Sequence, residues 1–434
     1  MLHKIKSIIP SPVLNIYHYA LARAAAILYG FPSRKLIVIG VTGTNGKSTT
    51  VNLISKIFEQ AGEKVGFTTT INFKIAEKEW LNDTKMTMPG RFELQKFLKK
   101  MVDAGCKYAV IETSSQGLDQ FRHLGVEYDA AVFTNLAPEH LEAHGGFENY
   151  KNAKAKLFKH LTKFPNKSID GKEVPKVIVV NADDEHSGFY FDFSADEKLS
   201  YSIENFSNFK ADNVILTPEY SAFDINDTHF EVSIPAKFNV YNSLAAIAVG
   251  SAFGITMGVA KNALAKVGRV PGRLEYIDEG QNFKVMVDYA PEPNSLAELY
   301  ALLKQVPKNK FIHVLGSAGG GRDKSRRPIL GRMAGEVAEY VIITNEDPYD
   351  EDPIEIIDAV AEGAIAGGKE LDRDLFKRYD RREAIEKAIE LAEEGDFVLV
   401  TGKGAEQAIA VSGGRKIKWD DREEIRQALK NKYK

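Results

Sequence analysis

A glycine-rich loop between a short apolar strand and a helix constrains this chain more than any other feature. Residues 36–39 are apolar, the segment Gly40-Val-Thr-Gly-Thr-Asn-Gly-Lys-Ser-Thr49 follows them, and residues 48–61 have a helical pattern that ends at Gly62. Glycines let backbone N–H groups approach phosphate oxygens, and the helix N-terminus adds partial positive charge. The loop therefore predicts a nucleotide-binding site in an α/β domain.

The polar residues of this loop have defined expected roles. Val41 stands where the strict phosphate-loop pattern has glycine, so Gly40 and Gly43 supply the turn. Lys47 is expected to span the β and γ phosphates, and the Ser48 hydroxyl to bind Mg²⁺. The expected nucleotide contacts are Thr42, Gly43, Thr44, Asn45, Gly46, Lys47, Ser48 and Thr49.

Two more polar side chains follow predicted strands in the same region. Glu112 comes directly after the apolar residues 108–111, and His140 follows the apolar residues 130–133. The carboxyl ends of parallel strands lie at one edge of a sheet, beside a phosphate loop. Glu112 is therefore placed to bind Mg²⁺, with His140 at the same edge.

The rhythm of strands and helices predicts the fold class. Strands alternating with helices indicate mostly parallel sheets covered on both faces. We predict a short N-terminal helical segment (1–35), a central P-loop α/β domain (36–270) and a C-terminal Rossmann-like α/β domain (271–434). The polar, alternating residues 190–235 predict a small antiparallel patch. The helix expected over residues 13–29 either packs on the next domain or seeks a surface as an amphipathic helix.

Composition narrows the classes of partner. The 434 residues suggest roughly three domains at about 150 residues each, and 57 basic against 60 acidic residues leave a net charge of −3. Such a balance gives no global attraction to nucleic acid or anionic lipid. Cys106 is the only cysteine, which excludes an intramolecular disulfide framework. With no apolar run of 18 residues and no clean signal peptide, we expect a cytoplasmic monomer without membrane insertion.

The loop and a series of later motifs resemble the Mur ligase superfamily of ATP-dependent amide-forming ligases. The resemblance runs from about residue 36 to the end of the chain. It points to the MurE-type branch through Thr87-Met-Pro89, Gln120-Phe-Arg122 and the segments that begin at Asp288, Gly402 and Asp420. Its ordered motifs include the TGTNGKS form of the phosphate loop, Phe238-Asn-Val-Tyr-Asn242, Asp288-Tyr-Ala290, the loop at 316–328, Gly402-Lys-Gly-Ala-Glu406 and Asp420-Asp-Arg422.

This resemblance implies a metal set. In the family, the matching positions bind metal through a glutamate, a histidine and a lysine carbamylated by CO₂, here Glu112, His140 and Lys154. Two Mg²⁺ ions are implied, with Ser48 at the other site. A carbamate turns a cation into an anion with oxygen ligands, which suits a hard metal ion. The alternatives are a solvated lysine on a helix face and a structural histidine.

The resemblance also implies nucleotide and substrate contacts. Asn239 and Asn242 suit an adenine edge, although Asn239 could merely cap the following helix. Arg322 and Lys324 could neutralise charge on the transferred phosphoryl group. Further implied nucleotide contacts are Arg273 and Asp288, and the implied substrate contacts are Thr87, Ser114, Gln120, Arg122, Asp347, Gly402 and Glu406.

Several positions depart from the family pattern. Gln116, Pro291 and Ala405 replace histidines, and Glu139 replaces an aspartate. The specificity motif reads Glu346-Asp-Pro-Tyr349 and lacks the arginine that grips a distal carboxylate. The acidic residues at 346–352 would suit an amino acid with a cationic side chain, unless they are only a solvated loop. About 35 residues precede the phosphate-loop strand, so we expect UDP recognition to be reduced or absent.

Together these features imply an amide ligase. We expect ATP-dependent addition of a free amino acid to a muramoyl-peptide-like acceptor through an acyl phosphate, as in peptidoglycan precursor synthesis. Two alternatives stay open: a related ligase with another acceptor, of the pseudomurein or glutamate-adding type, and a non-catalytic nucleotide-binding partner subunit. The lost histidines motivate the second alternative, and retention of Lys47, Glu112, His140 and Lys154 opposes it.

Overall fold

A computed structural model describes residues 11–138, 144–268 and 270–433 of this chain. The strands are β1 (Ile37–Thr42), β2 (Val65–Thr68), β3 (Asn72–Ile75), β4 (Lys78–Leu81), β5 (Tyr108–Glu112), β6 (Ala130–Phe133), β7 (Lys167–Ile169), β8 (Lys172–Val174), β9 (Val177–Asn181), β10 (Glu197–Ser202), β11 (Phe209–Lys210), β12 (Asp212–Leu216), β13 (Ser221–Ile225), β14 (Thr228–Val232), β15 (Glu275–Ile277), β16 (Lys284–Asp288), β17 (Phe311–Leu315), β18 (Tyr340–Thr344), β19 (Leu375–Arg378), β20 (Phe397–Thr401), β21 (Ala408–Val411) and β22 (Arg415–Lys418). The α-helices are α1 (Ser11–Leu28), α2 (Lys47–Gln60), α3 (Arg91–Asp103), α4 (Ser115–Asp119), α5 (Phe147–Leu161), α6 (Ser187–Phe191), α7 (Lys237–Ala252), α8 (Met257–Leu264), α9 (Pro293–Leu303), α10 (Arg326–Val337), α11 (Pro353–Ala366), α12 (Arg381–Leu391) and α13 (Asp421–Lys432), and short 3₁₀ turns lie at Pro32–Lys35 and Ser412–Gly414.

The first large sheet has nine strands in the order β11-β10-β9-β6-β1-β5-β2-β3-β4. Its strands are parallel from β11 to β2, and the hairpin of β3 and β4 adds antiparallel strands at one edge. Strand β1 lies near the centre, and alternate residues pack on opposite faces. Ile37 and Ile39 join the core with α2 and α7, whereas Val38 joins the core with α3 and α5. This two-sided burial explains why the strand is apolar throughout.

The expected antiparallel patch is confirmed over part of its range. Strands β12, β13 and β14 form a separate three-stranded antiparallel sheet. The stretch before them differs from the prediction, because β10 and β11 pair in parallel with β9 and extend the large sheet. Half-buried polar strands are tolerated near the edge of a sheet. Composition alone therefore did not distinguish β10 and β11 from the strands of the antiparallel sheet.

The second large sheet belongs to the C-terminal half. Its order is β15-β16-β20-β17-β18-β19, and all pairs are parallel except β15 with β16. Helices α9, α10 and α11 pack on one face, and α12 and α13 on the other. The predicted α/β class, with two mostly parallel sheets, is therefore confirmed.

Helix α1 packs on the first of these units, as one of the two interpretations predicted. Its small residues Ala22, Ala25 and Ala26 are buried, and Ala26 lies against Gly125. The opposite side exposes Ile16 and Ile27. Within the described ranges, no helix is both long and apolar enough to cross a membrane.

A buried histidine pair, His123 and His160, lies in the first unit. His160 donates from Nε2 to the Val126 carbonyl at 2.9 Å, and its ring meets His123 edge-on with centroids 4.9 Å apart. Its Nδ1 is buried with no hydrogen-bond partner in the described structure. Burial lowers the pKa of His160 to about 4, because protonation at Nδ1 would bury an unpaired N–H.

We therefore expect the free energy of unfolding to fall as the pH drops from about 6.5 to about 4, since the unfolded histidine binds the proton first. The His160 contribution is about 3 kcal/mol, present in full above pH 6.5. In His160→Phe this part of the pH dependence disappears. Urea unfolding across this pH range measures it, and equal slopes for the wild type and the variant would contradict it.

Candidate functional site

The carboxyl ends of β1, β5 and β6 open onto a cavity of about 500 Å³ that residues of the C-terminal half also line. In the sheet register, Val41 of β1 lies opposite Glu112 of β5, and Thr42 lies opposite Phe133 of β6. The residues that follow these strands therefore meet at one edge. From the far side, the cavity is bounded by the segment after β16 and by Arg322.

The phosphate loop is held in place by its neighbour after β6. Asn135 accepts a hydrogen bond from the Thr44 backbone at its carbonyl and from the Asn45 backbone at Oδ1, both at 2.8 Å. Lys47 Nζ donates to the Thr44 carbonyl at 2.6 Å. Gly46 has φ +81°, and a Cβ there would lie 2.2 Å from Oδ1 of Asn242. Any other residue at this position would strain the backbone and displace the Asn242 side chain.

Glu112 is the centre of a hydrogen-bond network at the start of α2. Ser48 Oγ donates to Glu112 Oε2 at 2.6 Å. Thr70 donates to the same carboxylate from its backbone N–H at 2.8 Å and from its hydroxyl at 3.0 Å. Thr87 Oγ1 lies 2.9 Å from the Thr70 hydroxyl. The structure thus brings together Ser48, Glu112 and Thr87, which the sequence singled out separately, and adds Thr70.

Lys154 lies inside the site and not on a solvated helix face. Its side chain is buried, Nζ donates to the Gly43 carbonyl at 2.7 Å, and Nζ lies 4.3 Å from the centre of the Tyr150 ring. The alternative of a solvated lysine is therefore wrong. The neighbouring helical lysine Lys159 is exposed.

Some of the side chains at this edge of the sheet are suitable ligands for a hard divalent cation, and others are not. Ser48 and Glu112 supply oxygen atoms of the kind that Mg²⁺ prefers. Lys154 as an ammonium would repel a cation, whereas a carbamate there would supply further oxygens. His140 lies outside the described residues. Among the residues that are described, no group of three or more His, Cys, Asp and Glu side chains is arranged to hold a metal.

Asn239 and Asn242 line the cavity on the opposite side of the phosphate loop. Asn239 donates to the Pro235 carbonyl at 2.7 Å, and its Oδ1 accepts from Asn242 Nδ2 at 3.0 Å. The N-cap of α7 is Ala236, so the interpretation of Asn239 as the helix cap is wrong. Asn242 also accepts from the Thr50 hydroxyl at 3.2 Å, which ties this wall to the first turn of α2.

The wall from the C-terminal half is built around Asp288. Its two oxygens accept from the backbone N–H groups of Leu274 and Ala290, at 2.8 and 2.9 Å. Burial raises the pKa of Asp288 against the opposing effect of Arg273. The Arg273 guanidinium stacks 4.4 Å from the centre of the Tyr289 ring.

The two basic residues expected at the phosphoryl group lie in different places in the structure. Arg322 lines the cavity, whereas Lys324 is exposed and pairs with Glu351 at 3.4 Å. The expectation for Lys324 is therefore not met in this arrangement.

The expected substrate contacts divide into three groups. Thr87 and Ser114 line the cavity, and Ser114 also caps α4 by accepting from the Gly117 N–H at 3.2 Å. Arg122 donates to the Met88 carbonyl and to Gln120 Oε1, so this pair supports the segment that carries Thr87. Asp347 and Glu406 lie together at a separate contact between the two halves of the chain, described below, and Gly402 lies against Glu346.

The acidic stretch at 346–352 is divided: Glu346 and Asp347 are buried, Glu351 is partly buried, and Asp350 and Asp352 are exposed. Lys85 and Lys403 hold Asp347, and Arg327 holds Glu351 at 2.8 Å. Asp350 and Asp352 accept from backbone N–H groups. Glu346 is buried, and burial raises its pKa; a Cβ at Gly402 would lie 2.5 Å from its carboxylate. Asp347 and Glu351 therefore already have cationic partners within the chain.

A serine, a histidine and an aspartate form a chain that the sequence did not reveal. Ser115 lines the cavity, and its Oγ lies 3.0 Å from Nε2 of His144. Nδ1 of the same buried ring lies 2.8 Å from the Asp119 carboxylate. With Nδ1 donating to Asp119, Nε2 accepts from the Ser115 hydroxyl. A separation of 29 residues between Ser115 and His144 leaves no local pattern to detect.

Replacing Gly46 tests the geometry of the loop. Gly46→Ala should lower ADP affinity at least about tenfold, because its methyl group displaces Asn242 as well as straining the backbone. Gly62→Ala is the matched control: φ there is +85° and a Cβ meets nothing within 4 Å, so it should cost about 1 kcal/mol of stability and leave ADP affinity unchanged. Calorimetric titration of ADP with equal affinity in both variants would contradict this account.

Comparison with known proteins identifies the family. The Mur ligase middle domain model matches residues 41–250, and the Mur ligase glutamate ligase domain model matches residues 272–404. A UDP-N-acetylmuramyl-tripeptide synthetase of Roseiflexus sp. (strain RS-1) is 38% identical over 431 residues, which cover 97% of this chain and 84% of that protein.

A second relative and a solved structure are similar to this chain over most of its length. A UDP-N-acetylmuramoyl-L-alanyl-D-glutamate–2,6-diaminopimelate ligase of Geobacillus thermodenitrificans (strain NG80-2) is 39% identical over 98% of this chain and 85% of its own length. A solved structure of a ligase with that name has a TM-score of 0.60 and 29% identity over 92% of this chain and 79% of its own. The chain belongs to the Mur ligase family.

Proposed function

We propose that this chain is an ATP-dependent ligase that adds an amino acid to a muramoyl-peptide-like acceptor, as MurE-type ligases do. One observation carries the proposal: the phosphate loop, Glu112 and buried Lys154 line the same cavity as Arg322 from the other half of the chain. The similar proteins are a tripeptide synthetase and ligases for 2,6-diaminopimelate on UDP-N-acetylmuramoyl-L-alanyl-D-glutamate, which supports this acceptor class.

The proposed reaction forms an amide in two steps. A carboxylate oxygen of the acceptor attacks the γ-phosphorus of ATP, ADP leaves, and an acyl phosphate results. The amine of the incoming amino acid then attacks the acyl carbon, and the tetrahedral intermediate expels phosphate as the amine loses a proton to solvent or a nearby base. Lys47 and Arg322 stabilise the negative charge on the transferred group.

Ser48, Glu112 and a carbamylated Lys154 would hold Mg²⁺, with His140 as the further family ligand. Bound there, the metal would neutralise phosphate charge and so favour attack by the acceptor carboxylate. The protein's own contribution is to orient these groups: Thr70 fixes both oxygens of Glu112, and the Gly43 carbonyl fixes Nζ of Lys154.

We further propose the nucleotide and substrate contacts given above, other than that of Lys324, and a division of the chain between residues 270 and 271. The proposed working form is a cytoplasmic monomer, because ATP and a free amino acid are cytoplasmic substrates and one chain supplies both walls of the cavity.

The direct test is ATP-dependent phosphate release. We expect release only when a muramoyl-dipeptide and an amino acid are both present, because closure around both substrates excludes water. UDP-linked and UDP-free acceptors are compared, each with diaminopimelate, lysine, ornithine and neutral amino acids. Failure of every muramoyl-dipeptide would overturn the MurE-type assignment, and release with another peptide acceptor would then favour a related ligase.

Lys154→Ala should reduce phosphate release by at least about a hundredfold, since it removes a group that stabilises charge in the transition state. Lys159→Ala, on the exposed side of the same helix, is the control and should keep wild-type activity. Labelled bicarbonate provides a second readout: a carbamate carbon signal should appear in carbon-13 spectra of the wild type and of Lys159→Ala only. A signal of equal strength in Lys154→Ala would show that the carbamate lies elsewhere.

A further inference from the structure

Four charged side chains form a cluster between the two halves of the chain. Lys85 Nζ lies 2.5 Å from Asp347 Oδ2 and 3.2 Å from Glu406 Oε2. Lys403 Nζ lies 2.9 Å from both oxygens of Asp347 and 2.7 Å from Glu406 Oε2. We call Lys85, Asp347, Lys403 and Glu406 the four-charge cluster. Its formal charges balance, two positive against two negative.

The four-charge cluster is withdrawn from water. The side chains of Lys403 and Lys85 are 0% and 6% exposed, and those of Asp347 and Glu406 are 8% and 14% exposed. Burial would raise the pKa of Asp347, but Lys403 and Lys85 outweigh burial and lower it to about 2. Burial lowers the pKa of Lys85, and repulsion from Lys403 adds to that effect, while Glu406 and Asp347 oppose it. Charges buried in this way interact strongly and are costly to leave unpaired.

Lys85 is the member that comes from the other half of the chain. It lies in the segment between β4 and α3, whereas Asp347 follows β18 and Lys403 and Glu406 follow β20. If the two halves separate, two carboxylates remain with one lysine. Separation therefore breaks the charge balance and leaves Asp347 and Glu406 to share Lys403 as their one cationic partner in the cluster.

The segment that carries Lys85 is also bonded to the nucleotide side of the cavity. Two residues beyond Lys85, Thr87 Oγ1 lies 2.9 Å from Thr70 Oγ1, and Thr70 donates two hydrogen bonds to Glu112. Glu112 in turn accepts from Ser48 at 2.6 Å.

Asn82 stiffens the same segment. Its side chain donates to the Thr69 and Met86 carbonyls, at 2.9 and 3.1 Å, and accepts from the Thr84 N–H at 2.9 Å. A short, bonded segment therefore joins the four-charge cluster to Glu112.

We propose that Lys85 is a positioning residue that couples the seating of the C-terminal half to the placement of Thr87, Thr70 and Glu112 beside the phosphate loop. The coupling regulates the reaction in Proposed function and rests on it. The phosphate loop supplies nucleotide contacts from the first unit alone, whereas phosphoryl transfer also requires Arg322 on the opposite wall of the cavity. Loss of Lys85 should accordingly change kcat more than the KM for ATP.

The same contact offers a matched control. Lys416 Nζ donates to the Thr84 carbonyl at 2.7 Å, so it also joins the two halves through the same segment. Unlike Lys85, Lys416 is exposed and lies outside the cluster. An exposed contact of this kind contributes little, so Lys416→Met should behave as the wild type.

The test compares Lys85→Met, Lys85→Gln and Lys416→Met in the full chain. In both Lys85 variants we expect kcat for amino-acid-dependent phosphate release to fall at least about tenfold, with a smaller factor of change in the KM for ATP. Small-angle X-ray scattering should show a larger radius of gyration for them than for the wild type and Lys416→Met. Thermal melting identifies any variant that fails to fold. The kcat and the radius of gyration of the other Lys85 variant then test the proposal.

The outcomes separate the two proposals. Absence of phosphate release in the wild type with every acceptor contradicts the proposed function, and scattering alone then decides the role of Lys85. Wild-type kcat in folded Lys85 variants, or a radius of gyration equal to that of the wild type, overturns the coupling. A fall in kcat matched by Lys416→Met also overturns it, because the effect would then belong to the segment and not to the buried charge.

Discussion

The site depends on the parallel pairing of β1 with β5 on one side and β6 on the other. This pairing ends three strands at one level, with Val41 opposite Glu112 and Thr42 opposite Phe133. The phosphate loop, the carboxylate and Asn135 consequently reach each other without any long connection. A shift of β5 by one residue would point Glu112 into the opposite face of the sheet. Burial of β1 on both faces makes such a shift costly, so packing in the core fixes the chemistry at the edge.

The parts of this arrangement that depend on neighbours in sequence could be predicted from the sequence. The strand, loop and helix around Lys47, the position of Glu112 at the carboxyl end of its strand, and the α/β class all follow from local patterns. Thr70, Asn135 and His144 could not be found in this way, because each acts through a partner many residues distant. The pairing of Asp347 and Glu351 could not be predicted for the same reason: their cationic partners, Lys85 and Arg327, come from elsewhere in the chain.

The departures from the family pattern occupy different surroundings. Ala405, in place of a histidine, packs with Ile71 and Val270 in a small apolar contact between the two halves. Pro291 lines the cavity, where a proline ring offers shape but no proton. Gln116 is exposed on α4. The three replaced histidines therefore lie in three different environments, and their loss need not affect one common function. At Ala405, an apolar contact stands where the family has a polar side chain.

The contact of Lys154 with the phosphate loop bears on how a lysine could change charge without disturbing its surroundings. As an amine, Nζ holds the Gly43 carbonyl with one of its hydrogens. A carbamate nitrogen keeps one N–H, so the same hydrogen bond can persist while the group beyond it becomes an anion. The conformation of the phosphate loop would then stay the same when CO₂ is added or lost. Whether the cavity accepts a cation would then depend on the carbamate at Lys154 and not on a rearrangement of the backbone.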